Sequence, residues 1–180
     1  MNFWLTLGAY EAVWFAAVIG AGRGLAWPGV AGAALFVVWR LGVSRQRGIE
    51  LRLIAVALLM GVAAESAWVY GGLIRYAAPW PWAAAPAWIL GLWVAFAATI
   101  VPLFGHLHTR PWLAALFGAI GGPLAYLAAA RGWHAAVFIA PRWQVLPWIA
   151  LGWGIALPVL TSLARYWLRG ASPSPQRSVS

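Results

Sequence analysis

The 180-residue chain is 64% hydrophobic and 8% charged, carries net charge +9, and has 15 tryptophans and no cysteine. So much apolar surface excludes a water-soluble globular domain, and the missing cysteine excludes disulfides, thiolate metal sites and a cysteine nucleophile. All 12 basic residues are arginines placed mostly at the ends of apolar runs, a pattern of topology-setting and headgroup-facing charge rather than of nucleic-acid contact.

At about 20 residues per crossing, the length accommodates roughly six spans. The reading is an all-α polytopic membrane protein, a bundle of six transmembrane helices forming one domain over 1–168, followed by a disordered tail at 169–180.

The first span covers 3–21. Glu11 interrupts its apolar core and no basic segment precedes it, so it reads as a retained helix rather than a signal peptide. Gly8, Ala12, Ala16 and Gly20 form a small-residue stripe that would let another helix approach closely. The second span, 25–43, opens on Trp27-Pro28 and ends at Trp39-Arg40; a polar loop holding Arg45, Arg47 and Glu50 follows.

The third span, 52–74, holds Glu65 and Ser66 in its interior. Gly61, Glu65, Trp68 and Gly72 fall on one face, so Glu65 is expected to point at a neighbouring helix. The stretch 75–87 has three prolines and two tryptophans and reads as an aromatic loop at the membrane surface.

The fourth span, 88–104, spaces Gly91, Ala95 and Thr99 four apart and is bent at its end by Pro102. In the fifth, 112–130, Ala114, Gly118, Gly122 and Tyr126 line one face, and Pro123 frees a carbonyl in the preceding turn. Residues 131–146 read as irregular, re-entrant or interfacial, and the sixth span covers 147–167.

With six spans, the side holding both termini carries eight arginines and the other side four, which puts both termini in the cytoplasm. Arg75, Arg131 and Arg142 fall with the aromatic segments on the outer side, where arginine beside tryptophan suits a lipid headgroup. Eleven tryptophans, Trp88 among them, read as an interfacial belt; Trp14, Trp68, Trp93 and Trp153 lie deep, where packing is the default.

A carboxylate at mid-bilayer costs several kcal/mol unless it is protonated, paired or facing a wet cavity. Glu65 is therefore the first candidate for an acid/base group, with Glu11 second and a pairing of the two carboxylates conceivable. The alternative is a neutral glutamic acid hydrogen-bonded across helices to Thr99, Tyr126 or Ser66. Ser66, Thr99, Tyr126, Trp68 and Trp93 are candidate substrate contacts. His106 and His108 form an H-x-H without a third ligand at diagnostic spacing, so no metal site is assigned. His134, beside Arg131, could meet a phosphate. Nothing implies a cofactor, and the expected partners are membrane lipids and a lipid-like substrate, with no nucleic acid.

The run GAIGGPLAY at 118–126, with Asn2-Phe3, Trp14-Phe15, Glu65-Ser66, Trp88, and Leu92, Trp93, Phe96 and Thr99, resembles the bacterial inner-membrane family catalogued as domain of unknown function 2878. The likeness spans most of the chain and departs at 128–137, AAARGWHAAV, where the family continues with Ala-Gly before a Leu-Gly-Ala-like run. The family has no established activity. Its members are often encoded near fatty-acyl-modifying enzymes of the cyclopropane-synthase type, so the resemblance implies membrane lipid metabolism. Three functions are therefore weighed: handling or modifying a lipid-like molecule around Glu65, a small proton- or cation-coupled carrier, and a non-catalytic scaffold.

Overall fold

We describe residues 3–171 of a computed structural model of the chain. The elements in order are α1 (Phe3–Gly22), α2 (Trp27–Val43), α3 (Arg47–Tyr70), β1 (Ile74–Tyr76), α4 (Ala87–Ala97), α5 (Ile100–Leu103), a 3₁₀ turn at Gly105–Leu107, α6 (Pro111–Trp133), β2 (Ala136–Phe138) and α7 (Arg142–Ala171). Four helices, α1, α3, α6 and α7, are long and apolar enough to cross a membrane, while α2 and α4 are shorter apolar helices. Large apolar side chains point outward along the bundle, Leu35 being 73% and Leu59 72% exposed. Such a surface is stable against hydrocarbon and not against water.

Small residues set the seams. A methyl on Gly29 would stand 2.9 Å from Ala17, so α1 and α2 pack nearly backbone to backbone. The α6 face carrying Ala114, Gly118, Gly122 and Tyr126 is buried as its spacing predicts, and a methyl on Gly118 would stand 2.1 Å from the Trp153 carbonyl of α7. On α1 the outcome differs. Gly8 and Ala12 are exposed and Gly20 of the stripe is buried, a methyl there standing 2.9 Å from Pro28 of α2; the rest of the buried face is Thr6, Val13, Ala17, Val18 and Ala21.

Other boundaries move as well. Helix α3 begins at Arg47, so Glu50 belongs to its first buried turn rather than to a loop. It ends in a Schellman motif, with Leu73 N–H bonded to Trp68 O and Gly72 N–H to Val69 O. Gly72 takes φ +69° there and is exposed, off the buried face of Gly61, Glu65 and Trp68. The fourth apolar run is split at Ala98-Thr99 into α4 and α5. Helix α7 starts at Arg142 and continues through Pro147 to Ala171; the rest of the expected tail lies outside the described residues.

The two segments read as irregular form an antiparallel ribbon, pairing Ile74 with Phe138, Arg75 with Val137 and Tyr76 with Ala136. Alternation along β1 buries Ile74 and Tyr76 and exposes Arg75. The ribbon lies across one end of the bundle, at the α6–α7 connection, and aims Tyr76 inward.

Candidate functional site

Glu65 is fully buried on α3, and three side chains from three other elements converge on it. Trp93 of α4 donates its indole Nε1–H to Oε1 at 2.7 Å. Tyr126 of α6 donates its hydroxyl to the same oxygen, and Tyr76 of β1 donates to Oε2. No cation pairs with this carboxyl among the described residues. Three neutral donors on two oxygens satisfy the acceptor without a counter-charge, and the two phenols put exchangeable protons directly on the carboxyl.

Glycines make the convergence possible. A methyl on Gly61 would stand 2.7 Å from the Trp93 ring, so only glycine lets that indole lie over α3. Trp93 stacks on Trp153 with ring centres 4.3 Å apart and planes 17° from parallel, and Trp153 sits against Gly122. Trp68 packs edge-on against Tyr126 and close to Gly152. Trp88 is buried rather than interfacial and donates to the Ala77 carbonyl at 2.9 Å, tying α4 to the segment after β1.

All three Glu65 partners line one cavity of about 250 Å³ between α1, α4, α6 and α7, capped by the ribbon at Tyr76 and Ala136. The remaining wall is apolar and largely aromatic, including Tyr10, Trp14, Phe96 and Trp153. Glu65 itself stands behind its partners. Two lining residues of α6, Phe117 and Gly121, are exposed, so the mouth lies on the side of the bundle where α6 faces Tyr10 and Trp14 of α1.

Of the residues read from sequence, the fold brings Glu65, Trp93, Tyr126 and Trp68 together. It leaves three out. Thr99 is buried but turns its hydroxyl to the Phe96 carbonyl at 2.6 Å, satisfying the helix break between α4 and α5. The Ser66 hydroxyl is buried without a hydrogen-bond partner, one position round α3 from the cluster. Glu11 is exposed on α1, so no pair of carboxylates forms. His134 is exposed at φ +56°, ending α6 in a left-handed cap. His108 donates its Nε2–H to the Ile100 carbonyl at 3.2 Å, while His106 is exposed. The described residues contain no group of three His, Asp or Glu able to hold a metal.

Sequence reading missed Tyr76, whose signal was the alternation Ile74-Arg75-Tyr76 inside an apparently irregular stretch. It also missed the ion pair of Arg40 and Glu50, 2.6 Å apart and 2% and 1% exposed. Arg40 repeats the spacing of buried Ala33 and Phe36 on α2, which marked it as inward-facing.

These features define a helical protein with the marks of an integral membrane protein, built around a buried carboxyl cluster. Residues 3–159 match the family described as protein of unknown function (DUF2878), and the chain belongs to that family. No curated protein and no solved structure matches it.

Proposed function

We propose that the chain is a multi-pass protein of the bacterial inner membrane that takes the apolar part of a lipid-like molecule into the cavity beside Glu65. The observation that carries this is the cavity's makeup: a largely apolar, aromatic-rich wall, a mouth on the side of the bundle, and a polar cluster where Tyr76, Tyr126 and Trp93 meet the carboxyl. Its volume lies just under the roughly 300–1,000 Å³ of ordinary small-molecule sites, enough for part of a chain rather than a whole lipid. Glu65 is the polar anchor, and its contact with two phenols suits it to holding or passing a proton. A proton-coupled carrier draws less support, because Glu65 is enclosed by its three partners.

Six passages remain the best account of the topology. Helix α2, and α4 with α5, each cover 17 residues, about 26 Å at the helical rise, close to a ~30 Å hydrocarbon core. Both pack among the four longer helices. The arginine excess at the end away from the ribbon supports cytoplasmic termini.

The test is photolabelling of reconstituted protein with a phospholipid carrying a diazirine in its acyl chain. Labels should map to α1 and α6 around Tyr10, Trp14 and Gly121, and Gly121→Trp, which fills the mouth, should reduce them at least fivefold. Labelling spread over the lipid-facing surface and unchanged by Gly121→Trp would overturn the reading.

A further inference from the structure

At the end of the bundle opposite the ribbon, a second and larger depression of about 980 Å³ is walled by Arg45, Arg47, Arg52, Arg165, Arg169 and His108. Three separate parts of the chain supply them: the α2–α3 connection with the start of α3, the segment before α6, and the last turns of α7. Among the described residues no carboxylate lines the basin. The chain has only three acidic residues, and none falls in 172–180. Glu50 is committed to Arg40 at 2.6 Å, Glu65 is enclosed in its own cluster, and Glu11 is exposed on α1. Among the described residues no carboxylate is left to face these five guanidinium groups.

Two of the arginines are also held in place. Arg52 lies over the Trp167 ring at 5.8 Å, and Arg47 donates to the Gly42 carbonyl at 2.8 Å. Arg165 and Arg169 sit one turn apart on α7. The Nε of Arg165 is buried with no hydrogen-bond partner among the described residues. A buried charged donor left unpaired is costly, and a planar guanidinium fork matches two oxygens of a phosphate. Pro111, the first residue of the 23-residue α6, lines the same basin and adds the positive end of a helix.

We propose that this basin is a phosphate-binding site, taking a phosphate ester presented either as the headgroup of an anionic lipid or as a soluble compound. It rests on different residues from the cavity reading and stands or falls separately.

The test measures thermal unfolding of the purified chain by its tryptophan fluorescence in neutral-detergent micelles. Three additions are compared: phosphatidylglycerol, phosphatidylcholine, and inorganic pyrophosphate in plain micelles, with sodium chloride matched for ionic strength. Phosphatidylglycerol or pyrophosphate should raise the transition saturably, and phosphatidylcholine and chloride should not. A response to the lipid alone assigns the site to a headgroup; a response to pyrophosphate assigns it to a soluble phosphate. Arg165→Gln/Arg169→Gln should weaken the half-saturation at least tenfold, while Arg131→Gln/Arg142→Gln, the same charge change at the ribbon end, should leave it unchanged. If the first variant does not fold, Arg45→Gln in the exposed connection gives the same reading, with about threefold weakening expected. A flat response to both anions, or equal weakening by variants at the two ends, overturns the proposal.

Discussion

Tyr126 and Glu65 stand 61 positions apart in the chain and share one hydrogen bond, phenol to carboxyl, deep in the bundle. That bond joins α6 to α3, and Tyr76 and Trp93 complete a set of donors drawn from β1 and α4. The carboxyl is thus a structural hub as well as the candidate chemical group, and substitutions there separate by how many donors they strand.

Glu65→Leu leaves three buried donors without an acceptor, each worth roughly 1–3 kcal/mol. Glu65→Gln keeps an oxygen for Trp93 and Tyr126 but turns an amide toward Tyr76. Tyr126→Phe removes a single hydroxyl, worth about 1 kcal/mol. Unfolding midpoints in detergent should fall in the order Glu65→Leu most, Glu65→Gln next, Tyr126→Phe least. Equal midpoints for Glu65→Leu and Tyr126→Phe would refute the hub.

Neighbouring glycines of α6 should respond oppositely to alanine. Gly118→Ala drives a methyl into the Trp153 carbonyl and should destabilise the α6–α7 seam by about 1–3 kcal/mol. At Gly121 nothing lies within 4 Å, so alanine there should be neutral or stabilising by up to about 1 kcal/mol through helix propensity. The same unfolding assay checks both, and a neutral Gly118→Ala would mean the helices pack further apart than described.

The Arg40–Glu50 pair is buried, and one carboxylate oxygen of Glu50 has no hydrogen-bond partner. Removing either partner strands a charge and should cost about 3–5 kcal/mol. Arg40→Met combined with Glu50→Leu should cost much less than the two single changes together. A double-mutant cycle measures the coupling, and simple additivity would argue that the pair is solvated.

Burial holds the His108 imidazole below the usual histidine pKa, with His106 acting the same way and the bond to the Ile100 carbonyl opposing. In the pH window between that lowered value and the ordinary one, about 6.5, the unfolded chain binds the proton and the folded chain does not. Stability should therefore fall as pH drops through that window and level off below it. Midpoints at pH 7.5 and 5.5 should converge in His108→Gln relative to the parent.

The cysteine-free sequence makes topology directly measurable. Single cysteines at Ala83, between the ribbon strand and α4, and at Arg45, between α2 and α3, lie at opposite ends of the bundle. In intact cells a membrane-impermeant maleimide should label position 83 and spare position 45. The reverse pattern would invert the proposed orientation.

The hydrophobic runs and small-residue spacings made the helices and the α6 face legible, because close approach leaves no choice but glycine or alanine at those positions. Glu65 was legible as the oddity of α3, and the i, i+4 relation to Gly61 placed it inward. Tyr126 and Trp93 were legible beside it, but Tyr76 was not, for a physical reason: it reaches Glu65 through strand pairing between segments some 60 positions apart, which helical periodicity cannot express. Thr99 misled because its spacing suited a continuous helix, whereas the chain breaks there and uses the hydroxyl locally. On α1, Gly8 and Ala12 misled because a small-residue stripe can face a helix or lipid, while Gly20 meets Pro28 as its spacing suggested.

Trp93 and Trp153 lie nearly parallel at 4.3 Å, one indole on the Glu65 carboxyl and the other against the α6 glycines. Two chromophores held that way couple electronically, so their near-ultraviolet circular dichroism reports the docking of α4 on α7. A guest that pushes the rings apart or locks them together would change that signal without any added label. The chain carries an optical gauge at the wall where a ligand would arrive.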